Sequence, residues 1–389
     1  YEIMPSLVGS EMCIRDRLVY SAFIHGHYLE YIHHIYMGAL VLKRPTIIVV
    51  PHSFQELREQ LDWPENEFVH FNFITDEQKV TCSRLNLLRQ ALNSTLTLRK
   101  LILKHHVRQV FITNLGIMMP FVALLLPWGT RVSGVIYRIY LYEWAKSNWK
   151  KRMQDALKFY LMACCKRIDH PFILNDAIAS AYLNRKFSTK KFEEIIDPMN
   201  VINYTPKNIR SELGVKNCQK MFVHLGGLGE RKGTMNIIEV MEKMTIDELK
   251  QNVFVFAGKV GNDIRTEFYQ RIQSLQKNAN IKIFDERIPF EQMADLCHSC
   301  DAILLPYSNT MQSSGIISYA SMFGHPVIGP SDGLLGKIIR KYRLGYACDV
   351  SSDGLLCAIR QFKPMSIDSR YVDSHTIELF YQTVYKKNQ

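Results

Sequence analysis

Five continuous apolar runs in the second half of the chain limit its fold more than any other feature. They are Lys220–Leu225, Val253–Ala257, Ile281–Phe284, Ala302–Leu305 and Val327–Ile328, with stretches of helical spacing between them. A strand with one face in water alternates apolar and polar residues. A continuous run is buried on both faces, and such runs joined by helices build a parallel sheet. The first half repeats the pattern, with strands predicted near Leu18–Phe23, Thr46–Pro51, Glu67–Phe71, Val107–Thr113, Val132–Tyr137, His170–Leu174 and Glu194–Asp197, and the longest helix over Asp76–Leu103. The expected fold is therefore α/β, with two Rossmann-like parallel-sheet domains. The polar, proline-bearing stretch Asp197–Gly214 reads as the linker between them, and Val372–Tyr385 reads as a closing helix.

The sharpest chemical signal follows the run ending at Leu225. Gly226-Gly227-Leu228-Gly229-Glu230-Arg231-Lys232-Gly233 leads into Ile237, Ile238, Val240, Met241 and Met244 at helical spacing. A strand, a glycine turn and a helix start form an anion site, because bare N–H groups and the helix dipole both favour phosphate. Arg231 and Lys232 add two cations there. The spacing is neither a dinucleotide fingerprint nor a P-loop, since no Gly-Lys-Ser/Thr closes it. A second loop of similar character follows Ala302–Leu305: Pro306-Tyr307-Ser308, then Gln312-Ser313-Ser314-Gly315, then Gly324-His325-Pro326-Val327. Two phosphate-suited loops in one half-chain fit a nucleoside diphosphate at the carboxyl ends of a parallel sheet.

Composition sets the outer limits. The chain has 389 residues, 47% hydrophobic and 22% charged, enough for two ordinary globular cores. Its longest apolar run, Leu115–Trp128, contains Gly116, Pro120 and Pro127 and is shorter than a membrane span needs, so it reads as a buried helix. The nine cysteines are scattered, as in a reduced compartment. Cys297-His298-Ser299-Cys300 has no second pair at a zinc spacing, so no metal is expected. The formal net charge of +11 calls for an acidic partner or surface. Lys146, Lys150, Lys151, Arg152, Lys158, Lys166 and Arg167 interleave with Trp144, Trp149, Phe159 and Leu161. Such a stretch suits an anionic leaflet, and it equally suits a solvated helix face. No nucleic-acid module is present.

Tyr1–Arg17 (YEIMPSLVGSEMCIRDR) resembles the conceptual translation of a sequencing-library adaptor and is set aside as a fusion scar would be. Leaving out its two Arg and three acidic residues moves the net charge from +11 to +12. The native chain is then expected to begin inside the first strand.

From Met221 to Gly345 the chain resembles the C-terminal domain of GT-B glycosyltransferases, in particular glycosyltransferase family 4. The resemblance rests on the Gly226–Gly233 loop, Gly258, Asp301–Tyr307, the Ser314-Gly315 helix start and Gly324-x-Pro326. It implies a GT-B enzyme with two domains across a cleft: an N-terminal acceptor domain over residues 18–200, a nucleotide-sugar domain over 201–371, and a tail over 372–389 that returns to the first. It implies that Lys232 and Arg231 stabilise a diphosphate leaving group, with His27 beside them as a catalytic residue. Gly226, Gly227, Ser313, Ser314 and Gly315 would hold the phosphates, and Glu286, Arg287 and Ile288 the base. Gly26, Tyr137 and Arg138 would face the acceptor. No cofactor or metal is implied, and the chain lacks an Asp-x-Asp motif. The donor would be a nucleotide-diphosphate sugar, and transfer would retain configuration. The acceptor would be a bacterial surface glycan or a lipid-linked glycan, reached from the cytoplasm or from the inner membrane face. Many family members carry two Glu where this chain has Met311 and Tyr319, which leaves the sugar open. A GT-B sugar-nucleotide epimerase and a non-catalytic GT-B scaffold are the rival readings.

Overall fold

A computed structural model describes residues 17–24, 27–75, 84–137, 147–199, 204–308, 310 and 314–386, with the backbone alone for residues 27 and 84–86. The chain divides into two compact units. The first runs to Ile196 and takes back the chain from Ile377; the second is Asp197–Thr376.

The first unit contains β1 (Arg17–Tyr20), α1 (His27–Val41), β2 (Thr46–Pro51), α2 (Phe54–Gln60), β3 (Val69–Ile74), α3 (Arg84–His105) and β4 (Gln109–Ile112). It continues with α4 (Leu115–Met118), α5 (Phe121–Leu125), β5 (Arg131–Ile136), α6 (Trp149–Cys164), β6 (Ile168–Leu174), α7 (Ala177–Lys186) and β7 (Glu193–Ile195). Its sheet is parallel, in the order β3-β2-β1-β4-β5-β6-β7. Arg17, read with the adaptor-like segment, opens β1, and its guanidinium donates to Gln109 Oε1 at 2.7 Å. The run Leu115–Trp128 is not one helix. Pro120 has no N–H to donate, and the residue before it, Met119, is extended, so the segment breaks into α4 and α5.

The second unit contains β8 (Lys220–Leu225), a single 3-10 turn at Glu230–Lys232, α8 (Thr234–Lys243), α9 (Ile246–Gln251), β9 (Asn252–Ala257), α10 (Arg265–Leu275), β10 (Asn280–Phe284) and α11 (Phe290–Ser299). Then come β11 (Ala302–Leu304), α12 (Gly315–Met322), β12 (Val327–Pro330), α13 (Gly333–Lys341), β13 (Gly345–Cys348), α14 (Ser352–Gln361) and α15 (Arg370–Ser374). Its sheet is also parallel, ordered β10-β9-β8-β11-β12-β13. The apolar face of α8 (Ile237, Ile238, Val240, Met241) is fully buried against this sheet. Sequence reasoning missed β13, because its four residues are half-buried and carry no continuous apolar run.

The closing helix is split. After α15 the chain enters α16 (Ile377–Tyr385), which belongs to the first unit and packs on α1. Gly38 makes this packing possible, since a Cβ there would lie 2.5 Å from Tyr381 Cβ. Phe380 lies 5.0 Å from the Tyr31 ring, and the buried Tyr385 hydroxyl donates to Ile35 O at 3.1 Å and lies 3.0 Å from Thr46 Oγ1.

Candidate active site

In the second unit the chain runs from β8 out to β9 and β10 at one edge of the sheet and from β11 out to β12 and β13 at the other, yet β8 and β11 lie side by side. This is a topological switch point, where loops beyond the carboxyl ends diverge and leave a crevice. The two phosphate-suited loops of the sequence are the two loops that emerge there.

The first loop is shaped by close backbone approaches. Gly258 sits at φ +144°, and a Cβ would fall 1.8 Å from Gly226 O. Gly233 sits at φ +69°, and its Cβ would fall 1.8 Å from Pro306 O in the second loop. Only glycine permits that contact. Ser308 completes it, its N–H and hydroxyl donating to Arg231 O at 3.2 and 3.1 Å.

A buried polar chain fixes the loop to the strands beneath. His224 Nδ1 lies 2.9 Å from Leu304 O, which only accepts, so this nitrogen carries the proton. Burial, and secondarily the nearby Lys232 charge, hold its pKa down at about 4, so the ring is neutral and Nε2 accepts from Thr234 Oγ1 at 3.0 Å. Thr234 in turn accepts from Gly229 N at 3.0 Å. β8, β11, α8 and the glycine loop are thus joined through one imidazole.

Lys232 ends the 3-10 turn with its ammonium directed at Tyr307. Nζ donates to Tyr307 Oη at 2.6 Å and stands 3.8 Å from the ring centroid. Ser314 Oγ donates to the same Oη at 3.3 Å. Burial, and then the neighbouring Arg231 charge, lower the Lys232 pKa to about 7, while burial raises Tyr307 to about 12. Among the described residues no carboxylate pairs with Lys232 or Arg231. The arrangement offers Arg231, and Lys232 whenever it is protonated, beside a glycine turn with no carboxylate against either. Ser314 precedes α12 without capping it, so the first-turn amides of that helix receive no bond from its side chain.

The other predicted residues fall as follows. Gly226 and Gly227 lie in the first loop, and Gly227 has open space where a side chain would be. Ser314 and Gly315 begin α12; Ser313 and Met311 lie outside the described residues. Glu286 and Arg287 are exposed and Ile288 is half-buried, in the loop from β10 to α11, with no bond to Lys232. Tyr319 packs 5.7 Å from Phe290. In the first unit Gly26, Arg138 and the His27 side chain lie outside the described residues. The Tyr137 ring belongs to an aromatic cluster, 5.4 Å from Tyr28 and 6.2 Å from Tyr31. Near it, at the switch point of the first sheet, Tyr20, Phe23, Asn114, Ile117 and Met118 line a hollow beyond β1 and β4.

Sequence reasoning missed three residues. His224 sits in an apolar run and reads as core. Tyr307 reads in the sequence only as part of the loop after the strand Ala302–Leu305. Asp263 takes the Glu230 N–H at 3.1 Å, so that amide is not available to a phosphate. No local pattern marks these roles, which depend on strand adjacency. The Cys297 and Cys300 thiols are buried and raised by that burial, the opposite of a reactive or metal-binding pair.

Residues 206–368, all within the second unit, match the family model described as glycosyl transferases group 1. The chain is a glycosyltransferase. No curated protein sequence matches it. Solved structures show that this glycosyltransferase has the GT-B fold. HepE of Anabaena, solved in complex with UDP, superposes with a TM-score of 0.66 at 15% identity, covering 95% of this chain and 97% of HepE. WaaG, a glycosyltransferase involved in lipopolysaccharide biosynthesis, gives 0.62 at 14%, covering 96% and 95%. The sucrose-phosphate synthase of Thermosynechococcus elongatus gives 0.66 at 10%, covering 95% and 96%.

Proposed function

We propose that this glycosyltransferase moves a sugar from a nucleotide-diphosphate donor to a glycan or lipid-linked acceptor, with retention and without a metal, in the manner of family 4. The single observation that carries the reading is the junction of two glycine- and serine-lined loops at the β8/β11 switch point, with unpaired Lys232 and Arg231 beside it. When the sugar–phosphate bond breaks, the diphosphate leaves with the electron pair. Preorganised cations and N–H dipoles at that point lower the barrier. Here Lys232 and Arg231 take the place that a divalent ion fills elsewhere, so activity is expected to persist in EDTA. HepE crystallises with UDP and with UDP and glucose, which supports a uridine donor as the first candidate to test.

The first unit is assigned the acceptor, through Gly26, His27, Tyr137 and Arg138. A membrane-borne acceptor is supported by α6. Trp149, Met153, Leu157 and Tyr160 are 52 to 65% exposed and recur at helical spacing, opposite the buried Phe159, Met162 and Ala163. Lys150 is exposed beside this stripe, Lys151, Arg152 and Lys158 are half-buried elsewhere on the helix, and no helix among the described residues is long and apolar enough to cross a membrane.

A thermal-shift panel of nucleoside diphosphates and their sugars tests the donor. At about 100 times its dissociation constant the right ligand adds near 2.7 kcal/mol. Lys232→Ala is expected to reduce transfer by about 100- to 1,000-fold. Wild-type protein that neither transfers nor hydrolyses any common nucleotide sugar would refute the reading. Donor isomerised without acceptor, seen by NMR, would replace it with epimerisation.

A further inference from the structure

Tyr307 is the point at which the two loops meet, and a phosphate-binding glycine loop has no need of it. It follows β11 after Pro306, with its ring buried and its hydroxyl turned to the first loop. Lys232 Nζ reaches it across 75 residues of sequence and lies both at hydrogen-bond distance from Oη and against the ring face. Ser314 Oγ holds the same oxygen from the start of α12. The ammonium also borders the bare turn of the glycine loop, since a Cβ on Gly226 would stand 3.9 Å from Nζ.

A lysine that receives an anion must be held in place without being neutralised. A carboxylate partner would hold it and cancel its charge. A neutral phenol accepts one N–H, its ring face attracts the cation, and it brings no charge to compete with a diphosphate.

We propose that Tyr307 is a positioning residue that aims Lys232 at the diphosphate and, through Ser314, ties that aim to the start of α12, so that both loops act on the donor together. This inference rests on the reading of the site as that of a nucleotide-sugar transferase. The low pKa of Lys232, caused first by burial and then by Arg231, agrees with it: the ammonium has been taken out of water without a counter-ion.

A double-mutant cycle tests it, because coupled residues lose their effect in each other's absence. Tyr307→Phe keeps the ring and its packing and removes only the oxygen. Calorimetry with the nucleoside diphosphate that binds the wild type is the readout, together with kcat and donor KM. In the native background Tyr307→Phe is expected to weaken binding about tenfold and to lower kcat by more than it raises KM. In the Lys232→Ala background the same change is expected to do nothing further. Ser314→Ala, which leaves the tyrosine intact, should show a smaller loss with the same dependence on Lys232. Equal losses in both backgrounds would make Tyr307 a packing residue and overturn the inference while leaving the transferase reading intact. A wild type that binds no nucleoside diphosphate and transfers no sugar would overturn both.

Discussion

Lys232 shows how a single side chain can be prepared for an anion it has yet to meet. Its pKa of about 7, lowered by burial and then by Arg231, leaves it near half-protonated at neutral pH. A diphosphate against Nζ favours the charged form, so donor binding above pH 7 must be accompanied by proton uptake. The sign is fixed: affinity falls as pH rises from about 7, by up to tenfold per pH unit, until the bound-state pKa is reached. A nucleotide sugar has no phosphate group titrating in that range, so the lysine can be read directly. Calorimetry near pH 8 in buffers of different ionisation enthalpy is expected to give uptake close to one proton, and Lys232→Met should abolish it. Uptake unchanged in the variant would assign the proton to another group. The sequence made Lys232 and Arg231 legible as cations after a glycine turn. It did not disclose that one is buried against a phenol, because that contact is made by a residue 75 positions on, in the loop after β11.

At the scale of elements, α6 carries an exposed apolar stripe, Trp149, Met153, Leu157 and Tyr160. The N-cap is conventional, Asn148 Oδ1 accepting from Lys151 N at 2.9 Å, and the inward face is ordinary core. The outward face exposes Trp149, Met153, Leu157 and Tyr160 with Lys150 among them, the half-buried Lys151, Arg152 and Lys158 add to the positive charge of the helix, and Asp155 is its lone acid. Each cation near an anionic surface contributes roughly 1 kcal/mol, and buried apolar side chains add to it. Vesicles rich in phosphatidylglycerol should therefore bind the protein at low salt and release it as salt rises, while neutral vesicles bind it weakly. Trp149→Ser with Leu157→Ser should cut that binding at least about tenfold without lowering the melting temperature, since both side chains already face water. Undiminished sedimentation of the variant with vesicles would show that α6 is a solvated face. The basic, aromatic character of this stretch was visible in the sequence, but which side of the helix faced outward was not. The same limit applies to Leu115–Trp128, where hydropathy announced burial and Pro120 decided the shape.

The whole molecule is two parallel sheets whose strands were mostly legible one by one, since each β-run buried on both faces is continuous in the sequence. Their neighbours were not legible: β8 lies beside β11, and β1 beside β4, through long-range pairings that a linear pattern does not display. Those pairings create the candidate site, and they also leave buried histidines in the second unit. Burial holds His224 and His375 at about 4, against 6.5 for an ordinary histidine. A depressed histidine is neutral in the fold and protonated in the unfolded chain between those values. Its contribution is therefore complete above pH 6.5 and is lost as pH falls toward 4, by up to about 3 kcal/mol each. Most carboxylates titrate below this window, so the first acid loss belongs to histidine. All four tryptophans, at 63, 128, 144 and 149, belong to the first unit, so their fluorescence follows that unit alone, whereas far-ultraviolet circular dichroism follows both. In urea at pH 7 the two signals are expected to lie closer together than at pH 5, where the dichroism transition should begin at lower denaturant. Replacing His224 and His375 by Gln should flatten the pH dependence of that early phase, whatever it does to stability at pH 7. The slope is the quantity to read, because each replacement also disturbs a buried hydrogen bond. An early phase that keeps its full slope in the double variant would place the acid sensitivity elsewhere in the second unit, with His325 the next residue to replace, since burial and His298 lower it as well.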